Sequence, residues 1–199
     1  EGGKALKGYD CSCAKGSVRY APLLRSLAAL LNRKCYMPIQ PRAFSVVHDK
    51  LLTQLDFQQH NIPMPRTYLA STIPAAREIL GKMNYPIIMK FPQGTQGKGV
   101  MFADSYASAS SILDALSALK QPFIIQEYIE TGGTDIRAIV VGDKVVAAMK
   151  RKADLKEKRS NIHAGGMGEA CELDSYTKKI SIDAARALEA DICGVDLLK

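Results

Sequence analysis

Two runs of β-branched and other apolar residues, separated only by Gly142 and Asp143, constrain the fold most strongly. Residues 136–141 and 144–149 each have the length of a strand, and a two-residue Gly-Asp connection is typical of a β-hairpin. Helical spacing of apolar residues recurs elsewhere, for example over 175–189. Hairpins mixed with helices predict an α+β fold rather than a regular βαβ series.

The N-terminal part is predicted to be organised differently from the rest. Residues 9–14 have the pattern of a short strand, and Ser17 is predicted to cap a helix that contains Leu23, Leu27 and Leu30. The prolines in 37–41 favour an extended linker, because each proline disfavours helix at the residue before it. We therefore predict a domain boundary near residue 46.

The remaining elements follow from periodicity and from Gly, Pro and capping signals. Asp49 is predicted to begin a helix that ends before the proline-rich 61–65. Further strands are predicted at 67–70, 86–91, 100–103, 123–128 and 191–198, further helices at 74–83 and 105–120, and a loop over 153–168.

Composition excludes several classes of protein. Hydrophobic residues make up 47% of the 199 residues and charged residues 24%, which is typical of a globular chain and excludes disorder. No apolar run is long enough to span a membrane. Five cysteines without a regular framework, and no signal-peptide pattern, predict a reducing, cytoplasmic setting. Because the chain begins with Glu1 and ends after a strand-like run, we expect a piece of a longer protein.

The net charge of +7 is concentrated before residue 49, and a second basic cluster occupies 150–159. Such clusters can bind nucleic acid, nucleotide phosphates or an acidic substrate, or can simply be solvated. The chain has no Trp, and no aromatic residues are interleaved with the cluster. Single-stranded nucleic acid is therefore not expected as a partner.

A glycine-rich stretch at 93–99 lies between two predicted strands. Glycines let backbone N–H groups approach an anion, and Lys98 adds positive charge. The stretch is not a Walker loop, which has Gly-Lys-Ser/Thr opening a helix, and a plain hairpin connection stays open. Just before it, Lys90 lies in an apolar strand, where its charge needs a partner or must reach the sheet edge. The adjacent loop favours a phosphate.

Three other polar segments are candidates for binding. The strand end at 126–129 can offer hydrogen-bonding edges and an apolar wall to a base. Residues 159–161, Arg-Ser-Asn before a Gly pair, suit phosphate, ribose or carboxylate, or form a polar surface loop. Asp196 lies in an apolar strand, where a carboxylate needs a cation, so it is a candidate Mg²⁺ ligand.

Taken in order, these segments resemble the ATP-grasp ligases, and most closely the RimK-like group, which comprises the ribosomal-protein glutamate ligases and the related α-L-glutamate ligases. The likeness covers about 36–199, and its segments together are specific because their order and spacing match. They are His48-Asp49-Lys50, 88–91 with 94–99, 126–129, 135–137, 140–149, 159–166 and 194–196. The resemblance implies an ATP-grasp domain at 47–199, with two α+β subdomains at about 67–128 and 129–199 that clasp ATP. Residues 1–46 would be the remnant of a Rossmann-like preceding domain with its linker.

The resemblance also implies roles for particular residues. Lys50 and Lys90 would bind the phosphates and the adenine side, and Asp135 the ribose. Arg151 would steer an acidic substrate. The phosphates would be covered by a loop of Gly94, Thr95, Gln96, Gly97, Lys98 and Gly99. Adenine would contact Glu127 and Ile129, with Tyr128 at the hinge between the subdomains, and Mg²⁺ or Mn²⁺ would bind Asp196. The nucleotide would also be held by Arg159, Ser160 and Asn161, of which Arg159 and Asn161 would act in catalysis. The family's Glu-x-Asn pair, which completes the metal site after the Asp196 strand, is not in this chain.

The activity implied is ATP-dependent amide formation through an acylphosphate, with L-glutamate or a similar amino acid as the amine. The acceptor would be a protein, a carrier protein or a coenzyme with a free carboxylate, and the full-length enzyme would be a homo-oligomer without a membrane partner. The alternative is a non-catalytic nucleotide- or nucleic-acid-binding protein.

Overall fold

The fold is taken from a computed structural model, which describes residues 8–92, 99–118, 122–152 and 167–199. A 3₁₀ turn at Val18–Tyr20 precedes the first helix. The helices are α1 Ala21–Leu31, α2 Ala43–Val46, α3 Lys50–Gln59, α4 Ile73–Lys82, α5 Tyr106–Ala118 and α6 Ser175–Ala187. The strands are β1 Thr67–Leu69, β2 Ile87–Lys90, β3 Val100–Ala103, β4 Ile124–Glu127, β5 Thr134–Val141, β6 Lys144–Lys152, β7 Met167–Ala170 and β8 Ile192–Leu197.

The first sheet has the antiparallel order β1-β4-β2-β3 and is covered on one face by α4 and α5. Alternate residues of β2, Ile87 and Met89, are fully buried in the core beneath these helices. Because successive side chains of a strand point to opposite faces, Lys90 projects from the face away from the helices. The helices therefore cover one face of β2, and the opposite face can carry polar residues such as Lys90.

The second sheet has the antiparallel order β7-β6-β5-β8 and confirms the predicted hairpin, with longer strands than expected. The register of β5 against β6 shifts between Ile139 and Val140. Helix α6 begins after Asp174, whose carboxylate accepts from the Thr177 N–H at 2.7 Å. The helix packs against the sheet and α3 through Ala184 and Ala187.

The N-terminal part differs from its prediction. Residue Cys11 forms only an isolated bridge with Tyr36, so the predicted strand at 9–14 is wrong. The predicted cap is also wrong, because the Ser17 side chain caps nothing and α1 begins at Ala21. Of the residues in α1 only Ala28 is buried, while Leu30 remains 68% exposed. Leucine spacing predicted the helix correctly, but local periodicity carries no information about what the apolar face contacts.

The predicted linker is not helical, but it contains a bend at Pro38 and a turn at Pro41, and it is docked onto the second sheet unit through a bridge between Ile39 and Ala190. Its backbone forms hydrogen bonds with the turn after α6. The Asp191 N–H donates to Pro38 O at 2.7 Å, and the Gln40 N–H donates to Glu189 O at 3.1 Å. The Tyr36 hydroxyl donates to the Asp191 carboxylate. Residues 36–40 thus bind residues far away in sequence. The boundary between 1–46 and 47–199, and a Rossmann-like preceding domain, stay predictions.

No helix in the described parts of the chain is long and apolar enough to cross a membrane.

Candidate nucleotide and metal site

Lys90 places a positive charge on a largely buried surface of the first sheet. Its ammonium donates to Gln126 Oε1 at 2.7 Å, and Gln126 Nε2 donates in turn to Thr67 Oγ1 at 2.6 Å. Burial, with the nearby charge of Lys50, lowers the pKa of Lys90 to about 8. An amide oxygen is a neutral acceptor, so it satisfies a hydrogen bond without compensating the charge.

Lys50 brings a second ammonium to the same place from the first turn of α3. The helix begins there because Asp49 accepts from the N–H groups of Leu51 and Leu52. Lys50 is held over the end of β2 by its backbone N–H, which donates to Pro92 O at 3.0 Å, and by its ammonium, 3.4 Å from the same oxygen. Burial lowers the pKa of Lys50. Two like charges in a partly buried place favour an anion between them.

Gly99 closes the connection between β2 and β3 beside these lysines. It has φ +75°, and a Cβ at this position would lie 2.5 Å from Cδ2 of Phe91. The Phe91 N–H donates to Gly99 O at 3.2 Å, and Lys90 pairs with Val100 across the strands. Only glycine fits this approach of backbone to ring. The other predicted loop residues, Gly94, Thr95, Gln96, Gly97 and Lys98, lie outside the described residues.

The predicted hinge, Glu127, Tyr128 and Ile129, leads from the first sheet to the second. The Glu127 carboxylate accepts from Arg66 twice, from its backbone N–H at 2.7 Å and from Nε at 2.9 Å, which lowers the pKa of Glu127. The Tyr128 ring packs edge-on against Phe102 with centroids 5.3 Å apart. Arg66 was not predicted, because nothing in the sequence links it to a residue so distant.

Asp135, Arg151, Asp196 and Arg137 form one charged network across three strands, here called the carboxylate–arginine network. Asp135 pairs with Arg151 across β5 and β6, and Arg137 pairs with Asp196 across β5 and β8. Arg151 donates to both oxygens of Asp135 at 2.7 and 2.6 Å, and its Nη2 lies 3.1 Å from Asp196 Oδ1. Arg137 donates to both oxygens of Asp196 at 2.7 Å.

This network changes the meaning of three predictions. Asp135 and Asp196, predicted separately for ribose and metal, are joined through Arg151. The Arg151 side chain is only 3% exposed and is engaged by two carboxylates, and its role in steering an acidic substrate stays a prediction. Burial alone would lower the pKa of Arg151, but its bonds to Asp135 and the charge of Asp196 outweigh burial and raise it. Arg137 had no predicted role, although its position two residues after Asp135 places both on one face of β5.

Asp196 is the predicted magnesium ligand among the described residues. Its carboxylate supplies the hard oxygen ligands that Mg²⁺ prefers, and the guanidinium of Arg137 already holds a positive charge against both oxygens. Among the described residues no group of three His, Cys, Asp or Glu side chains is arranged to hold a metal. Arg159, Ser160 and Asn161 lie outside the described residues.

Two four-stranded antiparallel sheets, joined through 128–133 and packed against helices, make up an ATP-grasp fold. The ATP-grasp ligase PsnB, solved with a phosphomimetic variant of minimal precursor, Mg and ADP, superposes on 89% of this chain and 54% of its own. The TM-score is 0.67 and the identity 20%. This likeness concerns the fold alone.

Residues 47–199 match the RimK-like ATP-grasp domain, and the chain belongs to this family. "Probable alpha-L-glutamate ligase 2" of Pseudoalteromonas atlantica is 42% identical over 159 residues, 79% of this chain and 53% of that protein. "Probable alpha-L-glutamate ligase" of Vibrio cholerae is 37% identical over 205 residues, 99% of this chain and 66% of that protein. The chain thus spans between about half and two thirds of the length of these curated relatives.

Proposed function

We propose that the protein to which this chain belongs is an ATP-dependent ligase that joins a carboxylate to the amine of L-glutamate or a similar amino acid. Family membership and the names of the relatives support the class of reaction. The observation that carries the proposal is the pair Lys50 and Lys90, two partly buried ammonium groups beside the glycine that closes the loop at 93–99.

We expect the phosphates of ATP to bind beside these two ammonium groups, whose positive charges attract an anion. Phosphoryl transfer is catalysed mainly by positioning and by neutralising charge on the transferred group. Lys50 and Lys90 neutralise charge from fixed strand and helix positions. The loop from Gly94 to Gly99 covers the phosphates and excludes water from the reactive intermediate. Arg159, Ser160 and Asn161 extend these contacts to the nucleotide and the reacting carboxylate.

The remaining groups orient the nucleotide. The adenine is bordered by Glu127, Tyr128 and Ile129. The Glu127 carboxylate contributes by holding the Arg66 side chain in place. Asp135 lies at the ribose side, anchored by Arg151. Asp196 would hold Mg²⁺, which would supply positive charge against the phosphates.

The reaction balances without a protein nucleophile. A carboxylate oxygen of the acceptor attacks the γ-phosphorus of ATP, which forms an acylphosphate and releases ADP. The amine then attacks the acyl carbon, loses a proton, and expels inorganic phosphate to leave an amide. The acceptor is a carboxylate on a protein, a carrier protein or a coenzyme, and the enzyme acts as a homo-oligomer in the cytoplasm.

The test measures binding of a non-hydrolysable ATP analogue by isothermal titration, with ADP release by the full-length protein as the second readout. Lys90→Met removes the charge and keeps the bulk, and we expect at least a tenfold loss of affinity, because a charge-assisted hydrogen bond contributes about 1.5–3 kcal/mol. Lys82→Met is the matched control, since Lys82 is exposed and pairs with Glu78.

Equal affinity in the Lys90→Met and Lys82→Met variants would overturn the phosphate assignment. Nucleotide binding without ADP release, with glutamate and every acceptor class present, would favour the non-catalytic alternative. ADP release that requires both glutamate and one acceptor class would identify that acceptor.

A further inference from the structure

Gln126 is the side chain that accepts the hydrogen bond of the Lys90 ammonium, and it is itself buried. Only 7% of Gln126 is exposed, and its Oε1 lies 2.7 Å from Lys90 Nζ. In the sheet, Gln126 lies opposite Thr67 on one side and opposite Ile88 on the other. Because Ile88 and Lys90 are two residues apart on β2, all four side chains share the face away from α4 and α5. Gln126 therefore links Lys90 to Thr67 on β1.

Hydrogen-bond chemistry allows the Gln126 amide only one orientation. An ammonium has protons but no acceptor, so the atom that faces Lys90 must be the amide oxygen. The Gln126 Nε2 then faces Thr67 and donates to its Oγ1 at 2.6 Å. Thr67 Oγ1 can accept this bond because its own proton goes to Pro65 O at 2.9 Å, while Gln54 Oε1 lies farther off at 3.3 Å. The hydrogen bonds thus run in one direction and fix the amide.

The neutrality of this contact matters as much as its geometry. A glutamate has the same length as a glutamine and could accept the same hydrogen bond from Lys90, but its carboxylate would neutralise the ammonium. Burial and the charge of Lys50 lower the pKa of Lys90 to about 8, and a carboxylate in contact would oppose this shift. The amide therefore gives Lys90 a fixed place without cancelling the charge that attracts an anion.

We propose that Gln126 is a positioning residue that holds the Lys90 ammonium in one place and, as a neutral amide, leaves its charge available to the phosphates of the nucleotide. Thr67 contributes by fixing the orientation of the Gln126 amide. This inference rests on the proposed function, because it requires that Lys90 binds phosphate. The alternative is a structural role alone, in which Gln126 does no more than satisfy buried hydrogen bonds.

The first experiment compares Gln126→Glu with the wild type in the full-length protein. The variant keeps the shape of the side chain and adds one negative charge, so we expect the pKa of Lys90 to rise by about 1–3, the usual effect of an opposite charge in contact. A pH series of lysine Cε signals in ¹³C NMR measures this pKa, and Lys90→Met assigns the signal. The affinity for a non-hydrolysable ATP analogue should fall at least about tenfold, because the added carboxylate repels the phosphates.

The control variant carries the same change in net charge away from the site. Gln58→Glu serves this purpose, because Gln58 is exposed near the end of α3. Circular dichroism checks that each variant folds. A folded Gln126→Glu variant that binds the analogue as tightly as Gln58→Glu would overturn the inference, because a structural role requires only that the hydrogen bonds are kept. An unchanged pKa of Lys90 in Gln126→Glu would overturn it as well.

The second experiment tests the orientation of the amide. Thr67→Val keeps the shape of the side chain and removes the oxygen that accepts from Gln126 Nε2. We expect the affinity for the analogue to fall about two- to tenfold, which corresponds to the usual contribution of one hydrogen bond. Thr67→Ser keeps the oxygen and is expected to retain most of the wild-type affinity. Equal affinity in the Val and Ser variants would overturn the part assigned to Thr67.

The outcomes separate the two proposals. Unchanged affinity in Gln126→Glu, with the analogue bound by the wild-type protein, overturns the role of Gln126 and leaves the ligase proposal standing. Absence of nucleotide binding in the wild-type protein contradicts the ligase proposal and this inference together.

Discussion

The two sheets of this chain have the same four-stranded antiparallel architecture but treat charge in opposite ways. On the first sheet the Lys90 ammonium contacts a neutral amide, and burial lowers its pKa to about 8. On the second sheet Asp135 and Arg151 neutralise each other. The first arrangement costs folding energy, which the proposed binding of an anion would offset, whereas the second is satisfied within the protein. A binding site for a charged ligand can therefore be recognised by a side-chain charge that no opposite charge of the protein neutralises.

The largest expected effect comes from breaking the balanced sheet. Arg151→Met removes the guanidinium that donates to both oxygens of the largely buried Asp135 carboxylate, and we expect a loss of about 3–5 kcal/mol in the free energy of unfolding. Chemical denaturation measures it. The double variant Arg151→Met with Asp135→Leu is expected to recover most of the loss, because both charges are then gone. A loss below 1 kcal/mol in the single variant would contradict the contrast between the sheets.

The turns of the two sheets provide the next comparison. Gly99→Ala is expected to destabilise the fold by about 2–4 kcal/mol, because it adds the clash with Phe91 to the cost of a positive φ. Gly142, in the turn between β5 and β6, has φ +59°, and a Cβ added there would meet no atom within 4 Å. We therefore expect Gly142→Ala to lower the free energy of unfolding by only about 1–2 kcal/mol. Thermal unfolding of both variants measures the difference. Equal losses would mean that the Phe91 ring moves aside freely.

Removing the charge of Lys90 from the first sheet is expected to raise the free energy of unfolding, whereas Arg151→Met lowers it. Lys90→Met is predicted to stabilise the fold by about 0.5–2 kcal/mol while it weakens nucleotide binding, since functional charges are often held at a cost in stability. Urea denaturation at neutral pH, beside Lys82→Met, is the measurement. Destabilisation by Lys90→Met would show that Gln126 compensates the charge more fully than its neutral oxygen indicates.

A pH series sharpens the same contrast with a smaller effect. The pKa of Lys90 is about 8 in the fold against the model-peptide value of 10.5, so the unfolded chain binds more protons between these pH values. Wild-type stability should therefore rise relative to Lys90→Met from pH 8 to pH 10.5, and stay at a constant offset below pH 8. Denaturation curves at several pH values measure the difference. A constant offset throughout would exclude a lowered pKa.

Sequence patterns predicted the elements better than the contacts between them. The hairpin, the Asp49 cap and the placement of Lys90 all follow from local spacing, because periodicity and capping are local properties. The carboxylate–arginine network did not follow, because it depends on the register of β5 against two partners and on the shift after Ile139. Residues 9–14 show the converse error, since strand-like spacing without a partner strand produced only one bridge.

The docking of residues 36–40 onto the turn after α6 has a consequence for the order of folding. Tyr36 and Asp191 are 155 residues apart in sequence, so their hydrogen bond closes a loop that contains the first sheet and all strands of the second sheet except β8. Contacts of such separation form late, because loop-closure entropy must first be offset by the structure in between. During synthesis, the N-terminal segment must therefore remain without its partner until nearly all of this chain has left the ribosome.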